Sequence, residues 1–266
     1  MRSFPLKSSN RPRLIAAGHL FGAAVMASFL VIAGAAPARA IVGLSTEASS
    51  IAPHVVMVLS LKGRIAGYCS GLVVAQNAVL TAAHCVPSGA AVKVHFRDTS
   101  DAPVLLDTAE IRRHPGYRAD AIKTRERSID LALIRLPAPL PDRFRPAIFG
   151  GGPSAAIGTR YRLAGFGLTR EGDATSSGQL RLATVTTRAP LSTLLLWAED
   201  PDHRGLGACT GDSGGPVFAA DSDVVVALMV WSAGRGSAQC GDLTQAIWLS
   251  PQKGWINAVL AEWTAR

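Results

Sequence analysis

The sequence predicts an all-β chain that ends in one helix, and three observations carry that prediction. Short apolar runs recur with glycine or proline between them, the punctuation of strands and turns. Helical spacing occurs at the C-terminal end, where Trp255, Ile256, Val259, Leu260 and Trp263 follow Pro251. This predicts an amphipathic helix over 252–263 whose aromatic stripe is core packing. Finally, 266 residues with 48% apolar content suffice for an all-β domain occupying the whole chain.

The first forty residues read as a targeting segment. Arg2, Lys7, Arg11 and Arg13 form a basic start, 14–36 is apolar and almost uncharged, and Ala38-Arg39-Ala40 is an A-x-A cleavage site. The mature chain is expected to begin at Ile41. An uncleaved anchor is the alternative, because an apolar stretch of roughly 20 residues also spans a bilayer. Strands are then expected at 55–59, 71–74, 78–80, 92–96 and 129–136 in the first half. Others follow at 161–165, 180–186, 216–218, 224–231 and 246–249. Between the halves, Pro139, Pro141 and Pro146 crowd with Gly150-Gly151-Gly152 into a linker-like segment.

The formal net charge of +8 is misleading. Residues 1–40 hold five basic residues and no acid, so their removal leaves 22 basic against 19 acidic residues, a net +3. That excludes a nucleic-acid or membrane-surface role argued from charge. Lys123, Arg125, Glu126 and Arg127 read as a solvated loop before the strand at 129–136.

The chemistry is concentrated in Gly211-Asp212-Ser213-Gly214-Gly215-Pro216 and Thr81-Ala82-Ala83-His84-Cys85. A serine hydroxyl becomes a competent nucleophile when a hydrogen-bonded base takes its proton, and histidine suits that task near neutral pH. Ser213 is the candidate nucleophile and His84 its base. Asp130 is a single acid in an apolar run, where a carboxylate needs hydrogen-bond donors, and it is the candidate to orient His84. Glycines at 211, 214 and 215 let the backbone turn tightly, so that the amides of Gly211 and Ser213 point at a developing oxyanion.

In chain order and in local residues, these three segments resemble the chymotrypsin/trypsin-like serine endopeptidase family, over the length from Ile41 to the C-terminal helix. The resemblance implies two six-stranded antiparallel barrels with the active site in the cleft between them. They would span about 41–140 and 154–250 within a protease domain at 41–266. It also implies that the ammonium of Ile41, in Ile41-Val42-Gly43-Leu44, folds inward to pair with Asp212 and so shapes the oxyanion hole. Leu44 departs from the family's usual glycine there. If the signal-peptidase site itself exposes Ile41, no separate propeptide is removed.

Four cysteines in an exported chain point to two disulfides, and sequence alone allows three pairings. The resemblance selects Cys69 with Cys85 and Cys209 with Cys240. It places Gly207, six residues before Ser213, at the base of the specificity pocket with Ala208 beside it, which implies cleavage after uncharged apolar or aromatic residues. Along the pocket wall, in Val230-Trp231-Ser232-Ala233, either Trp231 or Ala233 matches the family's wall tryptophan. Thr244 lies opposite the base under one alignment and would narrow it.

The expected protein is a secreted serine endopeptidase, extracellular or periplasmic, acting on protein or peptide substrates as a monomer. No metal or organic cofactor is implied, and no membrane association after signal cleavage. Compact length and few disulfides suggest a bacterial form. The alternatives are a secreted binding protein on a protease scaffold and a protease tethered by an uncleaved anchor.

Overall fold

The computed structural model describes residues 46–47, 49–152 and 156–265, all within the compact unit 37–266. The targeting segment and Ile41 lie outside the described residues. The chain forms β1 (Thr46–Glu47), β2 (Val55–Lys62), β3 (Ile65–Ala75), β4 (Ala78–Thr81), β5 (Ala91–Arg97), β6 (Pro103–Asp107) and β7 (Glu110–Arg113). The short helix α1 (Ala121–Thr124) precedes β8 (Ala132–Arg135). Then come β9 (Arg160–Gly165), β10 (Arg181–Thr187), β11 (Leu195–Glu199), β12 (Pro216–Ala219), β13 (Val225–Ala233), β14 (Leu243–Trp248) and helix α2 (Lys253–Thr264).

Two antiparallel sheets result. The first runs β6-β5-β2-β3-β4-β8-β7, and the second β1-β10-β11-β14-β13-β12-β9 with β9 also pairing β10. That last pairing closes β9 to β14 into a six-membered ring, with β1 added on the outside of β10. The first sheet has seven strands by count. Its two edges, β6 and β7, are separated by only Thr108 and Ala109, so one bent segment supplies both ends of a curved sheet with six strand positions.

Each strand forms where alternation lets one face bury. On β5, Val92, Val94 and Phe96 turn inward between more exposed neighbours, while the end of β3 is buried continuously from Cys69 to Val74. β6, β7 and β11 were not foreseen in the sequence. β6 keeps no residue fully buried, and β7 carries Glu110, Arg112 and Arg113, all half-buried, so neither shows an apolar period of two. β8 is shorter than expected. The Leu131 amide donates to the Ile129 carbonyl at 2.9 Å, a tight turn that keeps Asp130 out of the ladder.

α2 belongs by packing to the first sheet. Ile256, Val259 and Trp263 are buried in its core, Arg112 makes a two-pronged contact with Glu262 at 2.7 and 2.9 Å, and His114 meets the Trp255 ring edge-on. The same apolar cluster takes in Ala164, Phe218, Leu228 and Ile247, which joins the two sheets. Phe218 is fully buried there, so Phe218→Ala should cost about 3–5 kcal/mol in urea unfolding. Ile65→Ala, at a residue 78% exposed, should stay within about 0.5 kcal/mol of the parent.

Candidate active site

His84 sits in a single 3-10 turn after β4, on small buried residues Ala82 and Ala83 that let the turn lie against the sheet. Its Nδ1 donates to Asp130 Oδ2 at 2.6 Å, and its backbone amide donates to Asp130 Oδ1 at 2.9 Å. Because a carboxylate only accepts, the neutral ring carries its proton on Nδ1 and its lone pair on Nε2. Asp130 is largely shielded, at 18% side-chain exposure, against 40% for His84. One carboxylate therefore fixes both the turn and the imidazole.

Ser213 lies in the turn between Cys209 and Pro216. Asp212 N donates to Cys209 O, Gly215 N to Asp212 O and Gly214 N to Met229 O, at 2.7–3.1 Å. Gly211 and Gly214 have φ of +97° and +81°, where a side chain is strained. At Gly214 a Cβ would also collide with Ser70 O and Thr81 Oγ1, and at Gly211 with the Tyr68 ring. Among the described residues, neither the Gly211 nor the Ser213 amide donates to another group of the chain.

Ser70 was missed in the sequence. It is fully buried, donates from Oγ to Gly211 O at 2.9 Å, and accepts there from Phe166 N at 3.0 Å. Its amide donates to Ser213 O at 2.8 Å, and its carbonyl accepts from Thr81 Oγ1 at 2.8 Å. A lone serine in an apolar strand is the only sequence signal, and three of these four partners, Phe166, Gly211 and Ser213, lie more than 90 residues away.

Asp212 is fully buried, with Oδ1 accepting from Gly167 N and Oδ2 from Cys209 N, each at 2.9 Å. Burial pushes its carboxyl up to about 7, against the lowering effect of those two amides. A Cβ at Gly165 or Gly167 would run into this carboxylate, which explains both glycines.

A cleft of about 1030 Å³ is lined by both sheets and holds His84, Asp130 and Ser213. Trp231 and Ser232 line it too, whereas Gly207, Ala208 and Ala233 do not. Gly207 is buried against Gly241 and Thr244, and the Ala208 amide donates to Thr244 Oγ1 at 3.1 Å. Among the described residues no hydrogen bond joins Ser213 to His84, whose Nε2 lies 3.7 Å from Cys85 Sγ. Such contacts commonly tighten when substrate is bound.

The cysteines pair as Cys69–Cys85 and Cys209–Cys240. Among the described residues, the one grouping with metal-ligand spacing is Cys69, His84 and Cys85, and the disulfide consumes its two thiols.

A serine, a histidine and an aspartate on one cleft lined by two antiparallel barrels is an arrangement found in serine hydrolases. The family profile described as Trypsin matches residues 41–256, so the chain belongs to the trypsin family and is a serine endopeptidase. Granzyme M of Homo sapiens is 32% identical over 217 residues, covering 72% of this chain and 79% of its own. Trypsin alpha of Drosophila erecta is 28% identical over 181 residues, covering 62% and 68%. The solved structure titled "Neuropsin, a serine protease expressed in the limbic system of mouse brain" is similar in fold, with a TM-score of 0.60 at 22% identity over 77% of this chain and 93% of its own. These relatives are animal proteins and lend no support to a bacterial source.

Ser70→Ala leaves the partly buried Phe166 amide and the buried Gly211 carbonyl without this partner, so it should lower stability by about 1–3 kcal/mol in urea unfolding.

Proposed function

We propose that the chain is a secreted endopeptidase that hydrolyses peptide bonds through an acyl-enzyme. The observation that carries this reading is the double acceptance by Asp130 of His84 Nδ1 and the His84 amide, which leaves Nε2 as a base on the cleft that holds Ser213. Ser213 Oγ attacks the scissile carbonyl and its proton passes to Nε2. The amides of Gly211 and Ser213 donate to the oxyanion, and His84 hands the proton to the leaving amine as the C–N bond breaks. Water then attacks the ester, gives its proton to His84, and Ser213 is restored.

The pocket reading is cleavage after uncharged residues. This rests on the family resemblance, which puts Gly207 at the base: Gly207 brings no charge, and it packs behind the cleft lining, with Thr244 Oγ1 3.3 Å from where a side chain there would begin. Extracellular action is supported by two disulfides, which persist in oxidising compartments. Among the described residues no helix is long and apolar enough to cross a membrane. Residues 1–40 as a cleaved signal and a monomeric protease domain complete the proposal.

Incubation with a sulfonylating serine probe should give one adduct on the secreted chain and none on Ser213→Ala, read by intact mass. A peptide library should show cleavage after uncharged residues. Dominant cleavage after Arg or Lys would overturn the pocket reading, and a folded chain starting at Ile41 that takes no adduct would favour the binding scaffold.

The pairing of Ile41 with Asp212 makes a second test. In a chain retaining residues 1–40 there is no ammonium at Ile41. Asp212 then titrates near 7 when folded but near its ordinary 3.8 when unfolded. Between about pH 4 and 7 the folded state holds a proton that the unfolded state has released, so stability falls as pH rises through that window, by a few kcal/mol. In a chain beginning at Ile41 the ammonium favours the carboxylate, draws its pKa down and removes the fall. Urea midpoints of the two forms across pH 4–8 check this, and parallel curves would count against the ion pair.

A further inference from the structure

The basic loop before Asp130 does not face solvent alone. Arg118, Arg125 and Arg127 line the same cleft as Ser213 and His84, a cleft that the β13 end at Trp231 and Ser232 also lines. Resting on the endopeptidase reading above, we propose that these three arginines form a binding wall for acidic side chains of the substrate that flank the scissile bond.

The charges are uncommitted. Arg97, Arg112, Arg162, Arg170, Arg188, Arg204 and Arg235 each have a carboxylate partner, whereas among the described residues Arg118, Arg125 and Arg127 have neither a side-chain hydrogen bond nor an ion pair. All three are exposed. Two carboxylates share this part of the lining, Glu126 and Asp130, and Asp130 is occupied by His84. The excess is therefore positive, inside a concave wall that concentrates its field.

The loop that carries them is pinned. Arg118 N donates to Ser128 Oγ at 2.9 Å and Ser128 Oγ to Arg118 O at 3.2 Å, while Ile129 N donates to Gly116 O at 3.0 Å. The two ends of the loop are thus tied to each other beside Asp130. Within it α1 ends at Arg125, whose φ of 61° and ψ of 23° put a non-glycine residue in the left-handed region. Guanidinium forks match carboxylates in geometry, and the cleft, slightly above the ~300–1,000 Å³ of small-molecule sites, has room for a peptide segment.

Binding separates this inference from turnover. The Ser213→Ala chain is titrated by fluorescence anisotropy with three labelled peptides that share an uncharged residue at the cleavage position and are flanked by Asp/Glu, by Ser/Gln or by Lys. The acidic peptide should bind about tenfold more tightly than the neutral one at low salt, as three exposed charge pairs acting together would give. The advantage should shrink as NaCl rises. It should vanish in the additional Arg118→Gln, Arg125→Gln, Arg127→Gln variant and persist in Arg64→Gln, a control on the β2–β3 hairpin. Equal binding of acidic and neutral peptides, or a preference that survives the triple substitution, overturns the proposal. Failure of the unmutated chain to take the serine probe would instead strike the endopeptidase reading and leave this result standing.

Discussion

The arrangement of the turn that carries Ser213 depends on one buried carboxylate. Asp212 has no access to solvent, so each of its oxygens must be given a donor, and the chain supplies the amides of Cys209 and Gly167. Cys209 N closes the turn on itself, and Gly167 N ties it to the segment after β9. The space the carboxylate fills explains why residues 165 and 167 carry no side chain. Ser213 is the next residue, so its place in the cleft follows from the satisfaction of Asp212.

A second constraint sets the serine against the histidine. Three consecutive residues of β3 do this. Tyr68 and Ser70 are two apart and share a face, and both meet Gly211, one by its ring and the other by its hydroxyl. Cys69 points the other way and is bridged to Cys85, the neighbour of His84. The first sheet thus grips the turn of the second sheet and the histidine's turn with the same strand. A slip of one residue in the β3 register would exchange the two faces and lose all three contacts.

How much of this was legible in sequence follows from range. Strands with an inward apolar face, such as β5 and β9, announce themselves by local alternation, and the amphipathic α2 does so by its spacing. β6 and β7 do not, because their inner faces are only partly buried or carry charge, and β11 does not because it buries Leu196 and Ala198 from an apolar run, Leu194-Leu195-Leu196-Trp197, that shows no alternation. Ser213, His84 and Asp130 are singled out by residue type and lie on one cleft, although the turn that lifts Asp130 from the ladder was not foreseen. Ser70 and the glycines at 165 and 167 were illegible because their purpose lies in partners remote in sequence. The pocket wall stayed ambiguous for a different reason. The register of β13 shifts between Met229 and Trp231, and only across that bulge does Ser232 fall opposite Thr244.

Charge shows the same division. A sequence cannot distinguish a basic loop in bulk water from one that borders a cleft, since both are rich in arginine and poor in apolar residues. The acids of the loops that join the second sheet are engaged elsewhere. Asp200 is buried, yet three backbone amides, from Asp202, Arg204 and Leu206, outweigh the effect of burial and hold its carboxyl below the ordinary value. Asp242 is paired with Arg235, and Asp212 is held by its own turn. These carboxylates are already engaged and lie outside the lining of the cleft, whereas the guanidiniums of Arg118, Arg125 and Arg127 line it. On the proposed reading, electrostatic discrimination would move from the base of the pocket to the rim of the cleft, where Arg118, Arg125 and Arg127 lie.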